Sequence, residues 1–208
     1  MDISQAYNSW AEQYDTNINK TRDLEALALI DNLSDIHFDS CLEIGCGTGK
    51  NTEWLITKSN KILAIDLSEE MLNKAQAKIK SDKVTFLQAD LQKPWTFVTQ
   101  KFELLIFSLV LEHIENLGPV FEKASNSVKS GGYVYIGELH PYKQYTGTKA
   151  RFETAKGMNF VTCFNHHISD FISAAIKHGF AIVNLKEYFD DQDDNTIPRI
   201  LTILFRKI

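Results

Sequence analysis

Leu42-Glu43-Ile44-Gly45-Cys46-Gly47-Thr48-Gly49-Lys50 is the stretch on which the reading of the fold turns. A continuous apolar run at 41–44 predicts a strand, and a helix is expected around 51–56. Three of the ten glycines fall between them, within five positions. A Gly-rich turn in that setting lets the backbone approach a nucleotide-like ligand closely. Two phosphate-directed patterns do not fit. A P-loop requires glycine where Ile44 stands and Ser or Thr where Asn51 stands; a dinucleotide fingerprint requires glycine at Lys50. What remains is a turn flanked by carboxylates, Glu43 before it and Asp66 at the end of the second strand, 21 positions after Gly45. An acidic side chain placed there can accept both hydroxyls of a ribose. Two carboxylates near the loop also suit a cationic ligand better than a phosphate.

Outward from the loop, strands are predicted at 62–65, 84–87, 102–107, 133–136, 180–185 and 200–205. Most are continuously apolar, as strands covered on both faces are. Ser68 is placed to cap a helix with Glu69 and Glu70 in its first turn, Met71, Leu72, Ala75 and Ile79 on its apolar stripe, and Lys78 and Lys80 at its end. Pro119 reads as the start of another helix, with Gly131-Gly132 as its stop, and Ile168, Phe171, Ile172, Ala175 and Ile176 mark a third that ends at Gly179. Strand and helix in alternation predict an α/β fold, a doubly wound and mostly parallel sheet. Tyr7, Trp10, Ala11 and Tyr14 have helical spacing ahead of the first strand. The stretch 140–167 is long for a connection and reads as a lid on the substrate side.

The set of motifs resembles the class I S-adenosylmethionine-dependent methyltransferases, in the small-molecule, type 11-like family. It comprises Leu42 through Gly49, Asp66-Leu67-Ser68-Glu69-Glu70-Met71-Leu72, Gln88-Ala89-Asp90-Leu91, Ser108-Leu109-Val110-Leu111-Glu112-His113-Ile114 and Gly131-Gly132, across roughly residues 40–138. The pattern from Tyr7 to Asp15 is similar to the helix that covers the cofactor in such enzymes. The resemblance implies S-adenosylmethionine as cofactor, S-adenosylhomocysteine as product, and a seven-stranded sheet with its last strand antiparallel. It also implies site roles. Gly45, Gly47 and Gly49 would lie against the methionine part, with Glu43 anchoring it; Asp66 would take the ribose, Leu67 and Met71 the adenine ring, and Asp90 with the Leu91 backbone the adenine amino group. Ser108 would stand where donor and acceptor meet, and Tyr14 and His113 fall on the cofactor side. One domain over 1–208 is expected, with 1–36 as a helical cap.

Methyl transfer from a sulfonium is an in-line displacement, so positioning does much of the work, and a protonated oxygen or nitrogen acceptor needs a base. Glu138 and His140 alternate at the end of the fifth strand, which makes His140 the expected base or orienting group, although Pro141 after it also suits a strand end. The 140–167 stretch carries Lys143, Lys149, Arg151 and Lys156 against Glu153, together with Tyr142, Tyr145, Phe152, Phe160 and Phe164. Tyr142 and Arg151 are therefore expected to hold a small anionic or aromatic acceptor. No metal ligand spacing is present. The segment after the fourth strand lacks the Asn/Asp-Pro-Pro-Tyr/Phe motif of many amino-group methyltransferases of nucleic acids and proteins. RNA or protein acceptors, or a binding module without turnover, are the alternatives.

The 208 residues carry 22 basic and 27 acidic side chains, a net charge of −5. That balance disfavours a nucleic-acid partner. Five of the acids (Glu187, Asp190, Asp191, Asp193 and Asp194) cluster before the last strand, so the charge argument weakens and the motif argument carries the exclusion. The longest apolar run, 104–111 broken by Ser108, is far short of the roughly 20 residues of a membrane span. Met1 to Gln5 lack a signal-peptide pattern, and Cys41, Cys46 and Cys163 form no C-x-x-C pair, so reduced thiols and a cytoplasmic location are expected.

Overall fold

The computed structural model describes the backbone of residues 3–148, 150–154, 157–190 and 196–208, and the side chains of these except 151–154, 158 and 159. The five residues of β1 (Ser40–Ile44) are all buried. β1 pairs in parallel with β2 (Lys61–Asp66) on one side and β4 (Phe102–Ser108) on the other. Beyond them lie β3 (Val84–Gln88), β5 (Val128–Leu139), β8 (Phe180–Tyr188) and β9 (Ile200–Lys207), in the order β3-β2-β1-β4-β5-β9-β8. β9 runs antiparallel to both its neighbours. The sheet thus has the expected seven strands, doubly wound, with the last one reversed. Chain order reverses between β1 and β4, which opens a crevice at their carboxyl ends, the place where α/β sheets bind ligands.

Alternate residues of the strands feed two cores. Leu42, Ile44, Leu105, Phe107, Val134 and Ile136 pack with Val120, Phe121 and Ala124 of α5 (Gly118–Ser127) and Phe171 and Ala175 of α7 (Ile168–Lys177). Cys41, Leu104, Ile106 and Tyr135 pack on the other face with Leu29 and Leu33 of α2 (Lys20–Leu33), Leu55 of α3 (Lys50–Lys58) and Leu72 of α4 (Glu69–Lys78). Phe107 and Phe121 are fully buried, 6.3 Å apart between ring centroids, and truncating either to Ala costs about 3–5 kcal/mol. Ser68 caps α4 as expected, its hydroxyl accepting the Met71 N–H at 3.2 Å.

Two elements differ from expectation. α5 ends at Ser127, and β5 begins at Val128, before the Gly131-Gly132 pair expected to stop the helix. The pair instead serves a bulge: the β4–β5 register slips between Phe102 and Leu104, and a Cβ at Gly132 would meet the Glu103 carbonyl at 2.8 Å. Within the segment 1–36, α1 (Ile3–Tyr14) packs against α4, whereas α2 packs on β5 and β9 and brings Arg22 and Glu25 of its first two turns to the crevice. The stretch 140–167 folds as α6 (Pro141–Tyr145) and an antiparallel hairpin of β6 (Arg151–Thr154) and β7 (Gly157–Phe160). Val161, just after the hairpin, packs with Ala6, Trp10 and Ala11 of α1. Lys149, Lys156, Asp191, Asp193 and Asp194, named for their charge, lie outside the described residues. No cysteine is in a disulfide, and no helix among the described residues is long and apolar enough to cross a membrane.

Candidate active site

The glycine loop is built by backbone bonds. The N–H groups of Gly45 and Cys46 both donate to the Ile65 carbonyl, at 2.8 and 2.9 Å, which ties the loop to the end of β2. Gly45 has φ +74°, and a Cβ there would lie 2.9 Å from Val110 Cγ2, so the sharp turn and the close approach both demand glycine. Asp66 completes the turn: one carboxylate oxygen accepts the Gly47 N–H and the other the Ser68 N–H, both at 2.8 Å. Each oxygen retains a lone pair for a further donor. Burial pushes the Asp66 carboxyl up, and the backbone N–H groups of Ser68, Gly47 and Leu67 pull it down.

Behind the loop, Glu43 is buried and accepts the Thr52 hydroxyl at 2.6 Å. Burial pushes its carboxyl up to about 8. Glu25, also buried and raised by burial, accepts from the Tyr135 hydroxyl at 3.2 Å and from Asn51 Nδ2 at 3.1 Å. Asn51 Nδ2 also reaches Ser108 Oγ at 3.1 Å, so the carboxyl ends of β1 and β4 are bridged through α3.

These residues wall a cavity of about 980 Å³, mouth included. Tyr14, Glu43, Gly45, Gly47, Asp66, Leu67, Met71, Asp90, Leu91, Ser108 and His113 line it, together with residues on which the sequence was silent, among them Arg22, Glu25, Lys50 and Asn51. Gly49 is not on the lining; it packs one step behind, where a Cβ would meet Ile79 Cδ1 at 2.8 Å. Its lining combines apolar Leu67, Met71 and Leu91 with three carboxyls, Glu25, Glu43 and Asp66. Lys50 pairs with Asp23, and the three carboxyls remain beside the loop, where a cationic ligand would favour their ionised forms.

α1 closes the cavity from above. The Tyr7 hydroxyl lies 2.7 Å from His113 Nε2, and His113 Nδ1 lies 2.8 Å from the Thr162 carbonyl. A carbonyl only accepts, so Nδ1 carries the proton and Tyr7 donates to Nε2. Burial pushes the Tyr14 hydroxyl up to about 12, and the Arg22 guanidinium stacks 4.7 Å from its ring while bonding the carbonyls of Tyr14 and Asn17. A second cavity of about 920 Å³, mouth included, adjoins the first and shares Tyr7, Tyr14, Arg22 and Leu109 with it. Leu109, with φ +53°, is the only described non-glycine residue in the left-handed region, a strained position at the end of β4.

His140 and Tyr142, expected on the acceptor side, lie away from both cavities. His140 is fully buried and lines neither cavity. Its Nδ1 accepts the Tyr142 N–H at 3.2 Å as the cap of α6, and its Nε2 donates to Glu187 at 2.9 Å. Both nitrogens are thus committed, and the imidazole has no lone pair to act as a base. Tyr142 is 53% exposed and lines neither cavity. The side chain of Arg151 lies outside the described residues. His166 bonds the Ile114 carbonyl at 2.7 Å, and the Asp170 carboxylate accepts the His167 N–H at 2.8 Å at the start of α7. Glu112, His113 and Cys163 bring one donor atom each within 4.8 Å, but both His113 nitrogens are already bonded, so a cation would have to displace one of those bonds.

Comparison with known proteins places these features in context. A family model described as a methyltransferase domain matches residues 42–136. An uncharacterized methyltransferase of Emericella nidulans is 28% identical, over 89% of this chain and 78% of its own length. A malonyl-[acyl-carrier protein] O-methyltransferase of Hamiltonella defensa is 28% identical over 66% of this chain; the chain spans about half of that relative, 52%. An S-adenosylmethionine-dependent methyltransferase structure from Mesorhizobium loti superposes with a TM-score of 0.71, at 22% identity, over 87% of this chain and 96% of that one.

Proposed function

We propose that the chain is a class I S-adenosylmethionine-dependent methyltransferase, as its match to a methyltransferase-domain model over 42–136 supports, and that it methylates an oxygen or nitrogen of a small metabolite held in the second cavity. The observation that carries this reading is the shared wall. Two open-mouthed cavities meet at Tyr7, Tyr14, Arg22 and Leu109, so donor and acceptor can lie side by side behind α1. A concave pocket with Tyr7, Trp10 and Tyr14 of α1 along one wall suits a small molecule. Relatives named as malonyl-[acyl-carrier protein] O-methyltransferases, and one named as a ubiquinone biosynthesis O-methyltransferase, support oxygen as the acceptor atom.

S-adenosylmethionine, when bound, supplies a methyl group on a positively charged sulfur that leaves as a neutral thioether. The chain supplies the rest. Asp66 takes the ribose hydroxyls, Asp90 with the Leu91 backbone the adenine amino group, and Leu67 and Met71 the ring faces. Glu43 and Glu25 place negative charge behind the glycine loop, and Arg22 offers the positive partner for a carboxylate. Tyr7 and Tyr14 keep water from the shared wall. Positioning of this kind is worth several orders of magnitude in rate.

The test is transfer of labelled methyl from S-adenosylmethionine to a cell extract separated by dialysis into small and large molecules. Label in the dialysable fraction, with S-adenosylhomocysteine released in equal amount, is the expected outcome. Label confined to protein or RNA would overturn the small-metabolite reading.

A further inference from the structure

The second cavity contains a group that none of the roles above uses. Glu112 lies in the 3₁₀ turn (Leu111–His113) that follows β4, lines that cavity, and is only 6% exposed. Its Oε2 has no hydrogen-bond partner among the described residues. A buried carboxyl oxygen without a donor is costly, and a catalytic role is one reason for such a group to persist.

The surrounding cations do not answer it. Arg199 reaches the cavity but forms a forked pair with Asp190, its Nη2 2.6 Å from the carboxylate, and its Nη1 bonds the Thr21 hydroxyl at 3.1 Å. Arg22 is engaged with backbone carbonyls and the Tyr14 ring. The cavity therefore presents one unsatisfied acceptor, Glu112 Oε2, and one unsatisfied donor, Arg22 Nε, and the acceptor calls for a ligand group that donates a hydrogen bond. His113 Nε2 stands 3.9 Å from Glu112 Oε1, held by Tyr7 and the Thr162 carbonyl.

Resting on the methyltransferase reading, we propose that Glu112 is the acceptor-side catalytic residue: it takes the acceptor hydroxyl or amine as a hydrogen-bond donor and removes its proton, with Tyr7 and His113 as positioning residues. The acceptor O–H or N–H bond breaks toward Glu112 as its electron pair forms the bond to the methyl carbon, and the methyl–sulfur pair stays on sulfur. One proton moves to Glu112, and the charge of the sulfonium is cancelled. The groups facing Glu112 are His113, the Cys163 thiol that bonds its carboxyl, Tyr7, Tyr14 and Glu138. Burial raises the Glu112 carboxyl, which makes it a stronger base once ionised.

The probe is the dialysable metabolite extract with labelled S-adenosylmethionine, used on wild type, Glu112→Gln, Glu112→Asp and Tyr7→Phe. Glu112→Gln is expected to lose at least about 100-fold in transfer, with its S-adenosylhomocysteine affinity kept, and its rate no longer rises with pH. Glu112→Asp recovers part of the rate, and Tyr7→Phe lowers it less than Glu112→Gln. The carboxyl ¹³C resonance that Glu112→Gln removes should shift when the extract meets wild type loaded with S-adenosylhomocysteine. A Glu112→Gln rate equal to wild type, or a resonance indifferent to an extract that is methylated, overturns the assignment. If only macromolecules are labelled, the small-metabolite reading fails, and Glu112 is judged by the same ratio on that acceptor. No transfer to either fraction overturns both.

Discussion

The Tyr7 hydroxyl and His113 Nε2 meet at 2.7 Å across 106 positions of sequence. This bond pins α1 to the turn that follows β4 and closes the wall between the two cavities. Tyr7→Phe removes one buried hydrogen bond and leaves the His113 lone pair unsatisfied, a cost of about 1–3 kcal/mol. The expected result is a lower melting temperature and weaker S-adenosylhomocysteine binding in titration calorimetry. Unchanged affinity would mean that α1 covers the site without being held there by this bond.

Glu43 couples ligand binding to protons. Its carboxyl is held up to about 8 by burial, so it keeps its proton at neutral pH when the cavity is empty. A cationic ligand beside it favours the ionised form and should expel that proton. Calorimetry at pH 7 in buffers of different ionisation enthalpy should therefore show proton release on binding, absent in Glu43→Gln.

Glu138 carries a stability signature of its own. Its Oε1 accepts the Val110 and Leu111 N–H groups at 3.0 and 2.8 Å, and burial pushes the carboxyl up to about 8 from an ordinary 4.5. Between those two pH values the unfolded chain has lost a proton that the folded chain keeps. Stability is thus fully present below the lower value and falls as pH rises toward the higher one. Denaturant midpoints of the ligand-free protein should decline over that window. Glu138→Gln should remove up to about 1.4 kcal/mol per pH unit of that slope.

His140 should matter to folding rather than to turnover. With its nitrogens given to the Tyr142 N–H and to Glu187, His140→Ala loses a helix cap and a buried bond, costing about 1–3 kcal/mol. The melting temperature should drop while kcat of the remaining folded enzyme stays near wild type. A hundredfold loss of kcat without a stability change would restore it as a base.

Gly45→Ala should be worse than its size suggests. The positive φ and the 2.9 Å approach to Val110 Cγ2 act together, and the loop must shift to relieve them. Loss of cofactor binding is expected ahead of any gross unfolding, read by calorimetry beside circular dichroism.

The strands and the glycine loop were legible because their signals are local. Continuous apolar runs report a sheet covered on both faces, and only glycine fits where Gly45 stands. α2 was hidden for a physical reason. Its inward face carries Glu25 and Asn32, which bond Tyr135 and Asn51 in one case and Tyr188 and Thr202 in the other, so its apolar periodicity is broken by partners far along the chain. With α2 unplaced, Arg22 and Glu25 could not be assigned to the cavity. The burial of His140 away from both cavities was not legible, because it depends on Glu187, 47 positions later. Glu112 lay in plain view inside the Leu111–Ile114 motif, but its unbonded oxygen is a property of packing that no residue pattern encodes.

The four residues common to both cavities also set the order of events. Tyr7, Tyr14, Arg22 and Leu109 cannot adjust to one occupant without changing the surface offered to the other. Whatever free energy the first arrival gains or loses by moving them is passed to the second, and equally in reverse. The spent donor, left behind after transfer, therefore still shapes the acceptor compartment.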